Sequence, residues 1–165
     1  MSKAYFEILR AGINSSIQDE GRNHLYHIGI TTSGAMDQRI YKISNAIVNN
    51  NINEAAIEFA YQGPLLRLKN SDVNFAITGN VIFNIIRSNS TIEEGKCFQN
   101  YHLRTEDKID IINTKKSVFG YLAVEGGFKL EKFGDSYSVN TRAKVGPNNG
   151  EKFSINEKIY IRKSK

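Results

Sequence analysis

Two short stretches concentrate the residue types that chemistry uses. Gln18-Asp19-Glu20-Gly21-Arg22 sets two carboxylates and an arginine beside a glycine. Arg22 offers a planar fork that suits a carboxylate or a phosphate. The other reading of this stretch is a polar turn closed by an internal Asp19–Arg22 pair, and spacing alone favours it. The second stretch is Ser33-Gly34-Ala35-Met36-Asp37, which runs into an amphipathic segment. Free N–H groups at a helix start attract anions, and Ser33, Gly34 and Ala35 carry nothing bulky to block an approach. Against this, Asp37 at the cap would repel phosphate, and there is no second glycine at Walker spacing and no Gly-Lys-Ser/Thr. By spacing this is a capped structural helix before it is an anion site.

Further candidates are more scattered. Thr78-Gly79-Asn80 lies between two strand-like runs and is either a hairpin turn or a place where backbone approaches a ligand. Glu58 stands in the apolar run Ala56–Tyr61. Alternation assigns it to a wet face; were it buried, its pKa would rise and a functional role would follow. His24 and His27 are spaced i, i+3, but NHLYHIGI does not read as a helix and His102 is remote, so no metal is expected. Cys97 is the single cysteine, which precludes an intrachain disulfide and suits a small, buried apolar role in a reducing compartment.

The elements that must position these residues follow from periodicity. Met36, Ile40, Ile43 and Ile47 recur at helical spacing, with Gln38, Arg39, Lys42 and Asn45 assigned mostly to the opposite face. The predicted helix covers about 37–48, with Asp37 as N-cap and Asn49-Asn50-Asn51 as its end. Strands are predicted at 5–10, 56–61, 65–69, 73–78, 81–86, 108–112, 118–124 and 158–162, joined by turns at Gly63-Pro64 and Gly79-Asn80. Short strands at this spacing indicate a mainly β, antiparallel barrel or sandwich with one main helix. No linker or repeat divides the 165 residues, so a single domain is expected; 134–156, rich in Gly, Asn, Ser and Lys, reads as a long loop.

Composition narrows the function classes. The net charge of +5 is spread along the chain apart from the terminal Arg162-Lys163-Ser164-Lys165, and no nucleic-acid motif accompanies it. No nucleic-acid partner is expected. Without a leader-like N-terminus or an apolar run of about 20 residues, the reading is a soluble cytoplasmic protein with no membrane partner.

The order of the motifs adds more than each alone. Gln18-Asp19-x-Gly21-Arg22, His27-x-Gly29, Ser33-Gly34-Ala35-Met36-Asp37, Asn45 and Asn49, Ala56-x-Glu58, Gly63-Pro64, Thr78-Gly79 and Tyr121-Leu122-Ala123-Val124-x-Gly126-Gly127 follow one another. In this the chain, from about Ala4 to Ile159, resembles the carboxyltransferase subdomain family. That family includes the C subunit of 5-oxoprolinase, the sensor-kinase-inhibitor antagonist of sporulating bacteria and part of urea carboxylase; its older label is the second subunit of allophanate hydrolase. The resemblance implies a carboxyltransferase-subdomain fold. It also implies that Gln18, Asp19, Gly21, Arg22, Ser33, Gly34, Ala35, Met36, Asp37, Glu58, Thr78, Gly79 and Asn80 contribute to one surface or site. Asp19 and Arg22 are its candidate catalytic residues, the others its substrate-binding candidates.

The resemblance implies a part of an ATP-dependent 5-oxoprolinase, inactive without the A and B subunits, that opens 5-oxoproline to glutamate. The alternatives are a biotin-dependent carboxyltransferase module and a non-catalytic regulatory or remnant domain. Family members are longer and carry a cyclophilin-like barrel in the second half, so the expectation is that this chain matches the N-terminal half and that another chain supplies the rest. The sequence also departs from the family at Gly134-Asp135-Ser136-Tyr137-Ser138 and Gly146-Pro147-Asn148-Asn149-Gly150-Glu151. Both places lack expected arginines, which predicts a weakened site there; Asn80 similarly stands where an acid is common.

Overall fold

The computed structural model describes residues 3–162. The strands are β1 (Tyr5–Arg10), β2 (Ser16–Gln18), β3 (Ala56–Ala60), β4 (Leu65–Lys69), β5 (Val73–Thr78), β6 (Val81–Ile86), β7 (Ile92–Glu94), β8 (Asn100–Leu103), β9 (Lys108–Thr114), β10 (Phe119–Val124) and β11 (Lys158–Tyr160). One α-helix, α1 (Gln38–Ile47), lies between β2 and β3. The strands form two antiparallel sheets, ordered β11-β1-β4-β9-β6-β7 and β2-β3-β10-β5-β8. Neither closes on itself, so of the two architectures expected the molecule is the sandwich.

Alternation explains the layering. In the second sheet Ile57, Phe59, Phe75, Ile77, Leu122 and Val124 point inward and meet Phe6, Ile8, Leu66, Leu68, Phe83, Ile109 and Ile111 of the first. The opposite face of the second sheet is also buried, because α1 lies on it. Ala56 and Tyr121 pack there with Ala35 and Tyr41, while Ala76 and Ala123 pack with Val48. The small alanines let the helix approach closely. A sheet covered on both sides reads as a near-continuous apolar run, which is the pattern of β3 and β10.

The helix matches its predicted bounds and caps. Asp37 accepts from the backbone N–H groups of Arg39 (3.1 Å) and Ile40 (3.0 Å). Asn49 follows the helix at φ 57°, the left-handed conformation that asparagine tolerates. The buried stripe, however, is rotated from the predicted one. It runs through Tyr41, Ser44 and Asn45 and on to Val48, whereas Met36 is 67% exposed. Asn45, predicted on the polar face, is buried because its side chain donates to the Glu54 carbonyl (2.6 Å) and accepts from Asn50 (3.0 Å). Asn50 in turn donates to the Val124 carbonyl (2.8 Å), which ties the end of the helix to β10.

The predicted strands all form, with shifted ends at β3, β9, β10 and β11. Three others, β2, β7 and β8, lack a strand signature of their own and are defined by the neighbours they pair with. Cys97 is half-buried against the core, donates to the Val81 carbonyl (3.3 Å), and burial raises its pKa. In the basic tail, Arg162 pairs with Glu54 (2.5 Å), and residues 163–165 lie outside the described segment.

Candidate functional site

The two motif stretches meet. Arg22 Nη1 donates to Ser33 Oγ (3.0 Å), and the Arg22 and Ala35 N–H groups donate to the Thr32 and Asp19 carbonyls at 2.8 Å each. Gly21 (φ 94°) and Gly34 (φ 94°) face each other across this contact. A Cβ on Gly34 would lie 2.9 Å from the Glu20 carbonyl oxygen, so both glycines are needed for the two segments to touch.

Asp19 holds this arrangement to the far end of the chain. Its Oδ1 accepts from the Gly21 N–H (2.8 Å) and from the hydroxyls of Ser136 (2.6 Å) and Ser138 (2.6 Å). Its Oδ2 accepts from the Tyr137 N–H (2.6 Å). Arg22 is equally enclosed: it is 1% exposed, donates to the Ser138 carbonyl and lies under the Phe133 ring (5.8 Å). Burial weakens the hold of Arg22 on its proton, and the nearby Asp19 and Asp135 charges oppose that. Both residues act on other parts of the protein rather than on solvent. The 134–138 segment, expected to be weakened, supplies the two serines of this knot.

A cleft of about 270 Å³ opens beside it, lined among others by Gln18, Ser33, Gly34, Met36 and Glu58 on one side and Asn140 and Arg142 on the other. Glu58 is here the main departure from the sequence expectation. Alternation does turn it away from the core, but that face is roofed by α1 and its leading loop, so Glu58 is buried instead of wet. Its Oε2 accepts from the Met36 N–H (2.7 Å) and from the Tyr121 hydroxyl (2.8 Å), its cross-strand neighbour in β10. The Tyr121 oxygen accepts in turn from the Asp37 N–H (2.7 Å). Burial pushes the Glu58 carboxyl above the usual carboxylate range, and its two donors offset part of that rise. Burial and the adjacent Glu58 also raise the Tyr121 phenol.

The other predicted residues stand apart from the cleft. Ala35 packs in the small cluster under the helix, and Asp37 caps α1. Thr78 donates to the Ile40 carbonyl (3.0 Å), which anchors β5 to the helix. Gly79 (φ 115°) and Asn80 make the β5–β6 turn, where the Asn80 N–H donates to Ser117 Oγ (3.1 Å).

Residues that the sequence reading missed complete the site. Asn140 is the chief one. Its Nδ2 donates to Thr31 Oγ1 and Ser33 Oγ, both at 3.0 Å, and its Oδ1 accepts from the Arg142 (3.1 Å) and Ala143 (2.9 Å) N–H groups. Asn140 therefore caps the turn that presents Arg142 and fastens it to the Ser33 loop. The available signal was Asn140-Thr141-Arg142, an asparagine starting a turn two residues before a cation.

With fold and site in place, comparison with known proteins identifies the class. The chain belongs to the family described as carboxyltransferase domain, subdomain A and B, whose model matches residues 28–165. It is 31% identical over 140 residues to the 5-oxoprolinase C subunit of Haemophilus influenzae, covering 85% of this chain and 44% of that protein. It is 27% identical over 157 residues to urea amidolyase of Lachancea kluyveri, covering 94% of this chain and 8% of that protein. The crystal structure of the K. lactis urea amidolyase superposes with a TM-score of 0.88 over 98% of this chain and 10% of that one, at 24% identity, a likeness of fold. The chain thus spans under half the length of these relatives.

Proposed function

We propose that this chain is one part of an ATP-dependent 5-oxoprolinase that opens the lactam of 5-oxoproline to glutamate, with the A and B subunits as its partners. The observation that carries this reading is Glu58: a buried carboxyl on the wall of an open cleft, with both fixed donors on Oε2. Those donors leave Oε1 as the oxygen that carries the proton when Glu58 is neutral. As a lactam C–N bond breaks, water supplies hydroxide to the acyl carbon and the nitrogen must gain a proton. Burial raises the Glu58 pKa, which favours the proton-bearing carboxyl that can supply it.

ATP itself does not suit the cleft. A volume of about 270 Å³ lies below the roughly 300–1,000 Å³ of ligand pockets for larger molecules. The loop before α1 carries the Asp37 carboxylate at its cap, where phosphate is disfavoured. ATP binding is accordingly assigned to the partners, and no step here runs through it. Exposed Ile13, Tyr61 and Val118 come together through backbone bonds between Ile13 and Gln62 (2.7 Å) and between Tyr61 and Val118 (3.1 Å), beside the Asn14 and Phe119 wall of the cleft; they support a partner covering this end.

The second reading, a module of a biotin-dependent carboxyltransferase, is favoured by the match to urea amidolyase over 94% of this chain. It uses the same cleft for a ureido group. The test is reconstitution with the A and B subunits, followed by ATP-dependent release of glutamate from 5-oxoproline. Activity that Glu58→Gln abolishes while the complex still assembles supports the first reading. A complex without that activity, but with biotin-dependent carboxyl transfer to an amide, supports the second. Assembly with neither activity leaves a regulatory or remnant domain as the account.

A further inference from the structure

Arginines in this molecule are mostly committed. Arg10 pairs with Asp110, Arg67 with Glu7, Arg87 with Glu93 and Asp107, and Arg162 with Glu54. Arg22 is buried in the Asp19 knot. Arg39, Arg104 and Arg142 are exposed and form no ion pair among the described residues, and of these three it is Arg142 that lines the cleft. Its backbone is nevertheless fixed. The 140–145 turn is closed by a bridge between Asn140 and Val145, and Asn140 pins it to Ser33. A cation whose carrier is held this firmly, but which has no internal partner, is arranged for a partner from outside.

Gln18 supplies the complementary half. It is 7% exposed and lines the same cleft. Its amide NH₂ donates to Ser16 Oγ (3.0 Å) and to the Val139 carbonyl (3.1 Å). The Val139 carbonyl can only accept, so it fixes which end of the amide faces it. Gln18 Oε1 is left buried with no hydrogen-bond partner among the described residues. A buried acceptor without a donor has lost its water and gained nothing in return. The oxygen is closed to solvent, so a ligand N–H would satisfy it with a small shift of the cleft wall.

We infer that Arg142 and Gln18 are the specificity-determining residues of the cleft, selecting a small ligand that carries both a carboxylate and a secondary-amide N–H. The inference rests on the proposed function for its choice of probe and deepens it. It also moves anion recognition from Arg22, which is enclosed, to Arg142, which is open.

Calorimetric titration of the full chain with four probes tests this. The probes are 5-oxoproline, 2-pyrrolidinone, which lacks the carboxylate, N-methyl-5-oxoproline, which lacks the N–H, and N-acetylglycine, an acyclic molecule with both. The two complete probes should bind at least about tenfold more tightly than either incomplete one, the scale set by one charge-assisted bond. Arg142→Ala should remove the preference for 5-oxoproline over 2-pyrrolidinone while leaving the melting temperature unchanged, and Arg142→Lys should restore part of it. Failure of every probe to bind, or binding of 5-oxoproline that Arg142→Ala leaves intact, overturns the inference. The two proposals fail separately. Probe selectivity that depends on Arg142, in a chain whose complex opens no lactam, retains the subsite and removes the 5-oxoprolinase reading. A complex that opens 5-oxoproline with a KM indifferent to Arg142→Ala does the reverse.

Discussion

Asp19 and Glu58 are both buried carboxylates near the same loop, and their surroundings are opposites. Asp19 has hydrogen bonds on both oxygens, from two backbone N–H groups and two serine hydroxyls, with a buried arginine close by. Glu58 has its two donors on one oxygen and no cation paired with it among the described residues. The second environment leaves a Glu58 charge poorly solvated, so that carboxyl keeps its proton to higher pH. The contrast separates two uses of a buried acid: one joins distant segments, the other stays available to a ligand.

The comparison makes different demands on the two regions. The largest effect is expected for Asp19→Ala, which strands the Ser136 and Ser138 hydroxyls and two N–H groups; a loss on the order of 3 kcal/mol or more should appear in urea unfolding. An Asp19→Ala protein as stable as the parent would remove the distinction altogether. Next is Gly146→Ala. Gly146 sits at φ 101°, and an added Cβ would lie 2.5 Å from the Ser138 carbonyl oxygen. A loss of about 2 kcal/mol is expected from backbone strain.

Asn140→Ala should cost less, about 1 kcal/mol, because its bonds to Thr31 and Ser33 are partly exposed. Its effect on ligand binding should exceed its effect on unfolding, since it frees the Arg142 turn; the reverse ranking would place Asn140 in the knot instead. The smallest shift belongs to Glu58→Gln, and its sign changes the reading most. Glu58 has a folded pKa raised above its unfolded value, which lies near about 4.3. Its contribution to stability is therefore full below the unfolded pKa and falls as pH rises through the folded one. Gln keeps an oxygen for the Met36 and Tyr121 donors and does not ionise. Thermal melts from about pH 4 to 8 should show the parent losing ground to Glu58→Gln as pH rises; parallel curves would mean that folding leaves the Glu58 pKa where it is in the unfolded chain.

Much of the frame could be read from the sequence because it rests on local signals. The helix from Asp37 to its left-handed Asn49 follows from capping chemistry, and β4, β5 and β6 follow from alternation and their turns. The family motifs correctly brought the Gln18 and Ser33 stretches together. Glu58 was misplaced because alternation reports which side of a sheet a residue faces, not whether a helix covers that side. Asn140 and Arg142 were missed because 134–156 has no periodicity. Its order comes from isolated bridges and side-chain bonds to residues more than a hundred positions away.

The bond between the Ser138 hydroxyl and Asp19 spans 119 positions, and this sets a schedule for biosynthesis. At about 5–20 residues per second, the ribosome delivers the second half of the knot roughly ten seconds after the first. Through that interval the Asp19 carboxylate is without its serine donors, Arg22 lacks the Ser138 carbonyl, and the cleft lacks the wall that carries Arg142. Ligand recognition is thus a property that a growing chain acquires late and in a single step, and a protease cut within 133–145 would reverse it while sparing both sheets.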